Sequence, residues 1–168
     1  TWLRASFLPD CPEPLRESLE SLASTPGPRG VDEGDLFARA HAQGIAPWLH
    51  AALERWGLPA GQGPFAPFAR AWVATLRQNL IHLEEMGRVT SRFAAEGIET
   101  ILLKGSALLL GVYDHPALRP MGDIDLLVRP DDAGKIAELL RLRGYRPREA
   151  GTGPRVTASH HHLPELRH

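Results

Sequence analysis

The segment ILLKGSALLLGVYDHPALRPMGDIDLLV, residues 101–128, contains two apolar runs. Each run includes polar residues, which a buried strand or helix does not need for packing. A Lys-Gly-Ser triplet at 104–106 interrupts the first run, and Asp123 and Asp125 fall within the second. Aspartate is among the residues least suited to a strand interior. Because side chains alternate across a strand, both aspartates are expected on one face. The segment predicts a strand, a short helix and a second strand with a pair of carboxylates.

The acidic pair is the first candidate site. Neighbouring carboxylates repel each other and lose hydration when partly buried, so they need a cation or several hydrogen bonds. A hard divalent ion such as Mg²⁺ or Mn²⁺ suits them, because it takes one or two carboxylates and completes its shell with water and phosphate oxygens. Asp123 and Asp125 are therefore the candidate catalytic and metal-binding residues. The alternative is a structural ion pair with Lys104, Arg119 or Arg129.

Gly105 and Ser106 form the second candidate site. They follow a predicted strand that ends at Leu103, and they precede a predicted helix. Backbone N–H groups at a helix N-terminus favour a bound phosphate, and glycine allows the phosphate to come close. The alternatives are an ordinary turn glycine and an ordinary helix cap. A phosphate seat beside an acidic pair predicts a site for a nucleoside triphosphate with Mg²⁺.

The runs KGSALL and RPMGDIDLLV resemble the polymerase-β-type nucleotidyltransferase superfamily, in particular its bacterial branch of uncharacterised nucleotidyltransferases. The resemblance covers about residues 97–165. It implies transfer of a nucleoside monophosphate from an NTP to an acceptor hydroxyl or phosphate, with release of pyrophosphate. It also implies that Asp123 and Asp125 hold the metal ions and that Gly105 and Ser106 hold the β- and γ-phosphates.

The chain departs from the superfamily pattern in two ways. The spacer between Ser106 and Asp123 has 16 residues, which is longer than in compact members and indicates an extended loop around 114–122. The third carboxylate, which the resemblance implies would activate the acceptor, has Glu149 and Glu165 as its nearest but unconvincing candidates. The resemblance places this acid beyond the segment SHHHLPEL. The core is therefore expected to be truncated on its C-terminal side, and the sequence does not decide whether this chain is active.

Two basic residues flank the predicted site. Lys104 directly precedes Gly105, and Arg119 lies four residues before Asp123. Both can neutralise phosphate charge, and the planar guanidinium of Arg119 can contact a phosphate through two donors. We assign both residues to phosphate binding.

A histidine cluster, His160–His162 with His168 nearby, suggests zinc. Adjacent residues of an extended segment point to opposite faces, and neither a partner cysteine in the cluster nor an HExxH motif accompanies these histidines. We favour surface or site-edge histidines.

The predicted fold class is α+β. Residues 97–168 are expected to form a nucleotidyltransferase core, a small mixed sheet flanked by helices, and residues 1–96 a helical region packed on that core.

Apolar residues recur at a three-to-four spacing over 65–96, which predicts a long amphipathic helix. We interpret this helix as part of the core rather than as a coiled-coil dimer, because the stripe contains Trp72 and lacks a clean pattern of flanking charges. Other helices are predicted over 12–23, 32–43, 45–57 and 131–143.

Composition constrains the partners. The 168-residue chain has a net charge of −1, which gives no basic surplus for nucleic-acid binding. One cysteine, Cys11, excludes an internal disulfide, and no signal peptide or membrane span is apparent, so a cytoplasmic location is expected.

The acceptor is expected to be a small molecule, an RNA or a protein. The rival interpretations are a non-catalytic nucleotide-binding or interaction module that keeps the fold, and a toxin-type transferase that modifies tRNA or protein.

Overall fold

A computed structural model describes residues 10–24, 33–147 and 166–167. Within these ranges, no helix is long and apolar enough to cross a membrane. The helices are α1 (Glu13–Ser24), α2 (Glu33–Ala42), α3 (Ala46–Arg55), α4 (Ala66–Ala95), α5 (Lys104–Gly111) and α6 (Ala133–Leu142). The strands are β1 (Thr100–Leu102), β2 (Leu126–Val128), β3 (Arg146–Pro147) and β4 (Leu166–Arg167). Three short 3₁₀ turns cover Gly63–Phe65, Pro116–Leu118 and Pro130–Asp132.

The strands form two small sheets. β1 pairs with β2, and β3 pairs with β4 in the antiparallel sense, with Arg146 opposite Arg167 and Pro147 opposite Leu166. Helices account for most of the remaining ordered structure in the described ranges. The predicted α+β class is confirmed.

The described residues divide into two compact units, and each unit is discontinuous in sequence. Unit 1 comprises the described residues up to Arg88 together with Leu102–Leu126. Unit 2 comprises Val89–Ile101 and the described residues from Leu127 onward. Every candidate site residue in the described ranges lies in unit 1. The sequence predicts a helical region over 1–96 and a core over 97–168, each continuous in sequence. That division stays a prediction.

The core of unit 1 lies among its first helices. Phe65 and Phe68, where α4 begins, are each 1% exposed. The ring of Phe37 from α2 meets that of Phe68 edge-on, with 5.3 Å between the centroids. The guanidinium of Arg16 in α1 donates to the carbonyl oxygen of Trp56 at 3.0 Å, which ties α1 to the end of α3. Leucines of α1, α2 and α3 pack against this cluster: Leu19, Leu22, Leu36 and Leu49.

The long helix α4 occurs where the apolar spacing predicts it, but one position of its stripe is wrong. Leu80, expected to face inward, is 52% exposed, whereas the neighbouring Asn79 is fully buried. The reason is a pair of hydrogen bonds from the Asn79 amide to backbone carbonyls. A polar side chain can occupy a core position when its donors are satisfied.

In unit 2, the C-terminal end of α4 is held by ion pairs at Glu96. The Glu96 carboxylate lies 2.7 Å from an Arg92 nitrogen and 3.2 Å from Lys135 Nζ. Lys135 Nζ also donates to the Glu96 carbonyl oxygen at 2.8 Å. The hydrogen bond from Lys135 lowers the pKa of Glu96 below its usual value, and the charges of Arg92 and Lys135 act in the same direction.

We predict that Lys135→Met raises the pKa of the Glu96 carboxyl group toward its usual value near 4.5. A carboxyl group whose pKa is lower in the folded than in the unfolded state adds stability above its unfolded pKa. That stability is lost as the pH falls through the folded pKa. Carboxyl ¹³C shifts followed between about pH 3 and pH 7 measure the change.

Arg141→Gln is the matched control, because Arg141 pairs with Glu138 in the same unit. It should leave the Glu96 titration in place. A Glu96 curve that does not move in Lys135→Met would show that Lys135 does not act on this carboxylate.

Candidate active site

The turn from β1 into α5 is made by Lys104. Among the described non-glycine residues, Lys104 is the one with a positive φ, 46°. This left-handed conformation costs an L-residue about 1–2 kcal/mol. α5 begins at Lys104, so Gly105 and Ser106 lie within the helix rather than before it, and the capping residue Leu103 makes no side-chain cap hydrogen bond. The turn therefore leaves the helix N-terminus without a side-chain cap and places a charged side chain there.

Asp125 is held by two successive residues of this turn. Its carbonyl oxygen accepts a hydrogen bond from Leu103 N at 3.0 Å. Its carboxylate Oδ1 lies 2.9 Å from Lys104 Nζ. Backbone and side-chain contacts thus bring the second aspartate to the N-terminus of α5, across 21 positions of sequence.

Both aspartates precede the strand in which the sequence places them. β2 begins at Leu126, so Asp123 and Asp125 lie in the extended segment before it, and the strand prediction for these two residues is wrong. The backbone hydrogen bond between Leu103 and Asp125 marks the end of the β1–β2 pairing that is described. The carboxylates consequently stand beside the sheet rather than within it.

The charges of both carboxylates act on the ammonium of Lys104. The hydrogen bond to Asp125 raises the pKa of Lys104, the charge of Asp125 raises it further, and the charge of Asp123 acts in the same direction. Asp123 is exposed and the Asp125 side chain is 27% exposed, so water and ions can reach both. Two accessible carboxylates suit a hard divalent ion that keeps several waters. No group of three or more metal-ligating side chains occurs in the part of the chain that the structure describes.

The sequence offered three basic residues as partners for an ion pair with the aspartates. In the structure, Lys104 forms this ion pair with Asp125. Arg129 instead pairs with Glu99, with 2.6 Å between Nη2 and Oε2. Arg119 has its Nε buried without a hydrogen-bond partner within the described ranges. An ion pair at Asp125 does not exclude a metal there, because the Lys104 side chain is 64% exposed and can move away.

Gly105 and Ser106 have a packing role that the sequence did not reveal. Ser106 is fully buried, and its hydroxyl donates to the sulfur of Met121 at 3.8 Å. A Cβ on Gly105 would lie 3.2 Å from Cγ of the same methionine. The Ser106 hydroxyl is therefore engaged, and any contact of this pair with phosphate falls to the backbone N–H groups. No sequence motif marks Met121 as their partner.

The predicted long loop before Asp123 is fixed to α4. Asn79 Nδ2 donates to the carbonyl oxygens of Pro116 and Arg119, at 2.5 and 2.7 Å. The Trp72 ring stacks on that of His115, with 4.7 Å between centroids and 13° between planes. His115 Nδ1 also accepts from Ala117 N at 3.2 Å. Asn79 is the residue that sequence reasoning missed; the available signal was an asparagine next to an apolar stripe.

The remaining candidates lie outside the described residues. These are the two possible third carboxylates, Glu149 and Glu165, and the histidines His160–His162 and His168. Their predicted roles stay predictions.

Comparison with protein families identifies the family of the chain. The sequence profile of a family described as uncharacterised nucleotidyltransferase matches residues 29–167. The chain belongs to this family, as its KGS and DID motifs predict. Searches of curated proteins and of solved structures found no match.

We predict that Asn79→Leu lowers the free energy of unfolding by on the order of 2 kcal/mol, because it leaves two partly buried carbonyls without their donor. The neighbouring Gln78→Leu is the control. Gln78 is exposed and contacts His82 at 3.1 Å, so its loss should cost no more than about 0.5 kcal/mol. Urea unfolding of both variants measures the difference. Equal losses would mean that the Asn79 hydrogen bonds do not stabilise the loop.

Proposed function

We propose that the protein is a metal-dependent nucleotidyltransferase that moves a nucleoside monophosphate from an NTP to an acceptor and releases pyrophosphate. The observation that carries the proposal is the contact between Lys104 and Asp125. It brings Asp125, one member of the acidic pair, to the N-terminus of a helix. A carboxylate suits a divalent ion and a helix N-terminus suits a phosphate, as a metal–triphosphate complex combines them. Membership of the nucleotidyltransferase family supports the same reaction class.

Asp123 and Asp125 would hold Mg²⁺ or Mn²⁺. When bound, the ion supplies Lewis acidity and orients the phosphates for in-line displacement. The backbone N–H groups of Gly105 and Ser106 would receive phosphate oxygens at the helix N-terminus. In this arrangement the carboxylates would bind the metal ion and the backbone amides would bind the phosphate.

Lys104 and Arg119 would neutralise phosphate charge. The ammonium of Lys104 lies at the acidic pair, and its exposed side chain has room to turn toward a triphosphate. The Asn79 amide donates to the Arg119 carbonyl oxygen, which fixes the loop that carries Arg119. A third carboxylate would activate the acceptor, which is a small molecule, an RNA or a protein.

A non-catalytic nucleotide-binding module is the second candidate. The Lys104–Asp125 ion pair favours it, because a structural ion pair is one way to satisfy a carboxylate without any metal. The two candidates share the nucleotide and differ in whether a phosphoryl bond is broken.

We predict that Asp123→Asn/Asp125→Asn abolishes metal-dependent NTP binding and reduces label transfer from α-³²P-NTP by at least about 100-fold, since loss of metal ligands exceeds the usual effect of outer-shell changes. The fold should persist, because an exposed ion pair contributes at most about 1 kcal/mol. Equilibrium dialysis with each NTP, with and without Mg²⁺, measures binding. Label transfer is followed with small-molecule, RNA and protein fractions as acceptors.

The control is Asp131→Asn/Asp132→Asn, which neutralises a second acidic pair located in the 3₁₀ turn before α6. It should change neither quantity. NTP binding that needs no metal and survives the double change at 123 and 125 contradicts the metal site. Metal-dependent binding without any transfer favours the non-catalytic module.

A further inference from the structure

Lysine is rare in this chain. Lys104 and Lys135 are its two lysines, against 17 arginines. Arginine presents a planar fork of donors, whereas the lysine ammonium is a compact point charge on a flexible stem. At Lys104 the chain therefore places the cationic side chain that most resembles a small inorganic cation.

The ammonium of Lys104 occupies a position that a metal ion would need. Nζ lies 2.9 Å from Asp125 Oδ1. A Mg²⁺ ion binds carboxylate oxygen at about 2.0–2.1 Å. Two cations cannot share that oxygen at such distances without strong repulsion. Metal binding at Asp125 Oδ1 thus requires Lys104 to withdraw.

Withdrawal is feasible in this geometry. The Lys104 side chain is 64% exposed and its ion pair is solvated, so the contact is weak enough to be broken. The same residue forms the first position of α5, next to the backbone N–H groups of Gly105 and Ser106. An ammonium that leaves Asp125 stays within reach of the predicted phosphate seat.

We propose that Lys104 is a displaceable counter-ion of the acidic pair: it neutralises Asp125 until a divalent ion binds, and then turns to the triphosphate at the N-terminus of α5. The second half of this statement rests on the proposed function. A divalent ion that binds alone contacts the carboxylates, but it leaves the Lys104 ammonium without a partner other than water. Divalent ion with triphosphate gives the ammonium a new partner. The two ligands therefore bind cooperatively, each raising the affinity for the other by the same factor.

The first test follows the two lysines by NMR in protein labelled with [¹³Cε]lysine. Lys135→Met assigns the signals, and Lys135, paired with Glu96, serves as the internal reference in the wild type. Mg²⁺ alone should shift the Lys104 signal, and Mg²⁺ with α,β-methylene-ATP should shift it again. The Lys135 signal should stay in place. A Lys104 signal that does not respond to Mg²⁺, although Mg²⁺ binds, overturns the proposal.

The second test measures Mn²⁺ affinity by electron paramagnetic resonance. Lys104→Met should bind Mn²⁺ alone about three- to fivefold more tightly than the wild type, the ratio that a solvated ion pair supports. It should also reduce the gain in Mn²⁺ affinity that α,β-methylene-ATP produces. Lys135→Met should leave both values unchanged. Equal or weaker Mn²⁺ binding by Lys104→Met overturns the proposal.

The outcomes separate this proposal from the proposed function. Displacement of Lys104 by the metal without label transfer contradicts the transferase and supports the counter-ion. Label transfer with an unmoved Lys104 signal supports the transferase and contradicts the counter-ion. A wild type that binds no Mn²⁺ contradicts both.

Discussion

The contact between Lys104 and Asp125 is the interaction on which the candidate site depends. It joins the residue that opens α5 to the acidic segment that precedes β2, over 21 positions of sequence. The adjacent hydrogen bond from Leu103 N to the Asp125 carbonyl secures the same alignment through the backbone. Without these two contacts the helix N-terminus and the carboxylates would be separate features of the chain. With them, the proposed phosphate site and the proposed metal ligand Asp125 become neighbours.

The loop between α5 and β2 meets a second constraint. A long connection loses conformational entropy when it closes, and here it must deliver Asp123 to a defined place. The buried amide of Asn79 and the stacked pair of Trp72 and His115 fix the loop to α4 at two points. Met121 fixes its far end against Gly105 and Ser106. The core helix therefore contributes to the site by ordering the segment that precedes the acids.

Local patterns predicted the helices well, because a three-to-four apolar spacing over 65–96 is sufficient to place a helix such as α4. They placed Asp123 and Asp125 inside a strand wrongly, because the start of a strand depends on which backbone groups find partners across the sheet. They missed Asn79, whose partners lie 37 and 40 positions away. They also left three candidates for the ion pair, since the positive φ of Lys104 is a property of the folded turn.

A pair of carboxylates at a metal site presents the folding chain with a conflict. The acids must be negative and accessible to bind a divalent ion, yet negative charges in proximity repel each other before that ion arrives. An arginine that donates two hydrogen bonds would also neutralise the carboxylates, but its contact would be harder to break than that of a lysine. A single ammonium on a flexible, exposed side chain satisfies Asp125 through one 2.9 Å contact and leaves Asp123 exposed. Under the proposed role of Lys104, the weakness of this ion pair would allow one residue to stabilise the folded protein and then to bind its ligand.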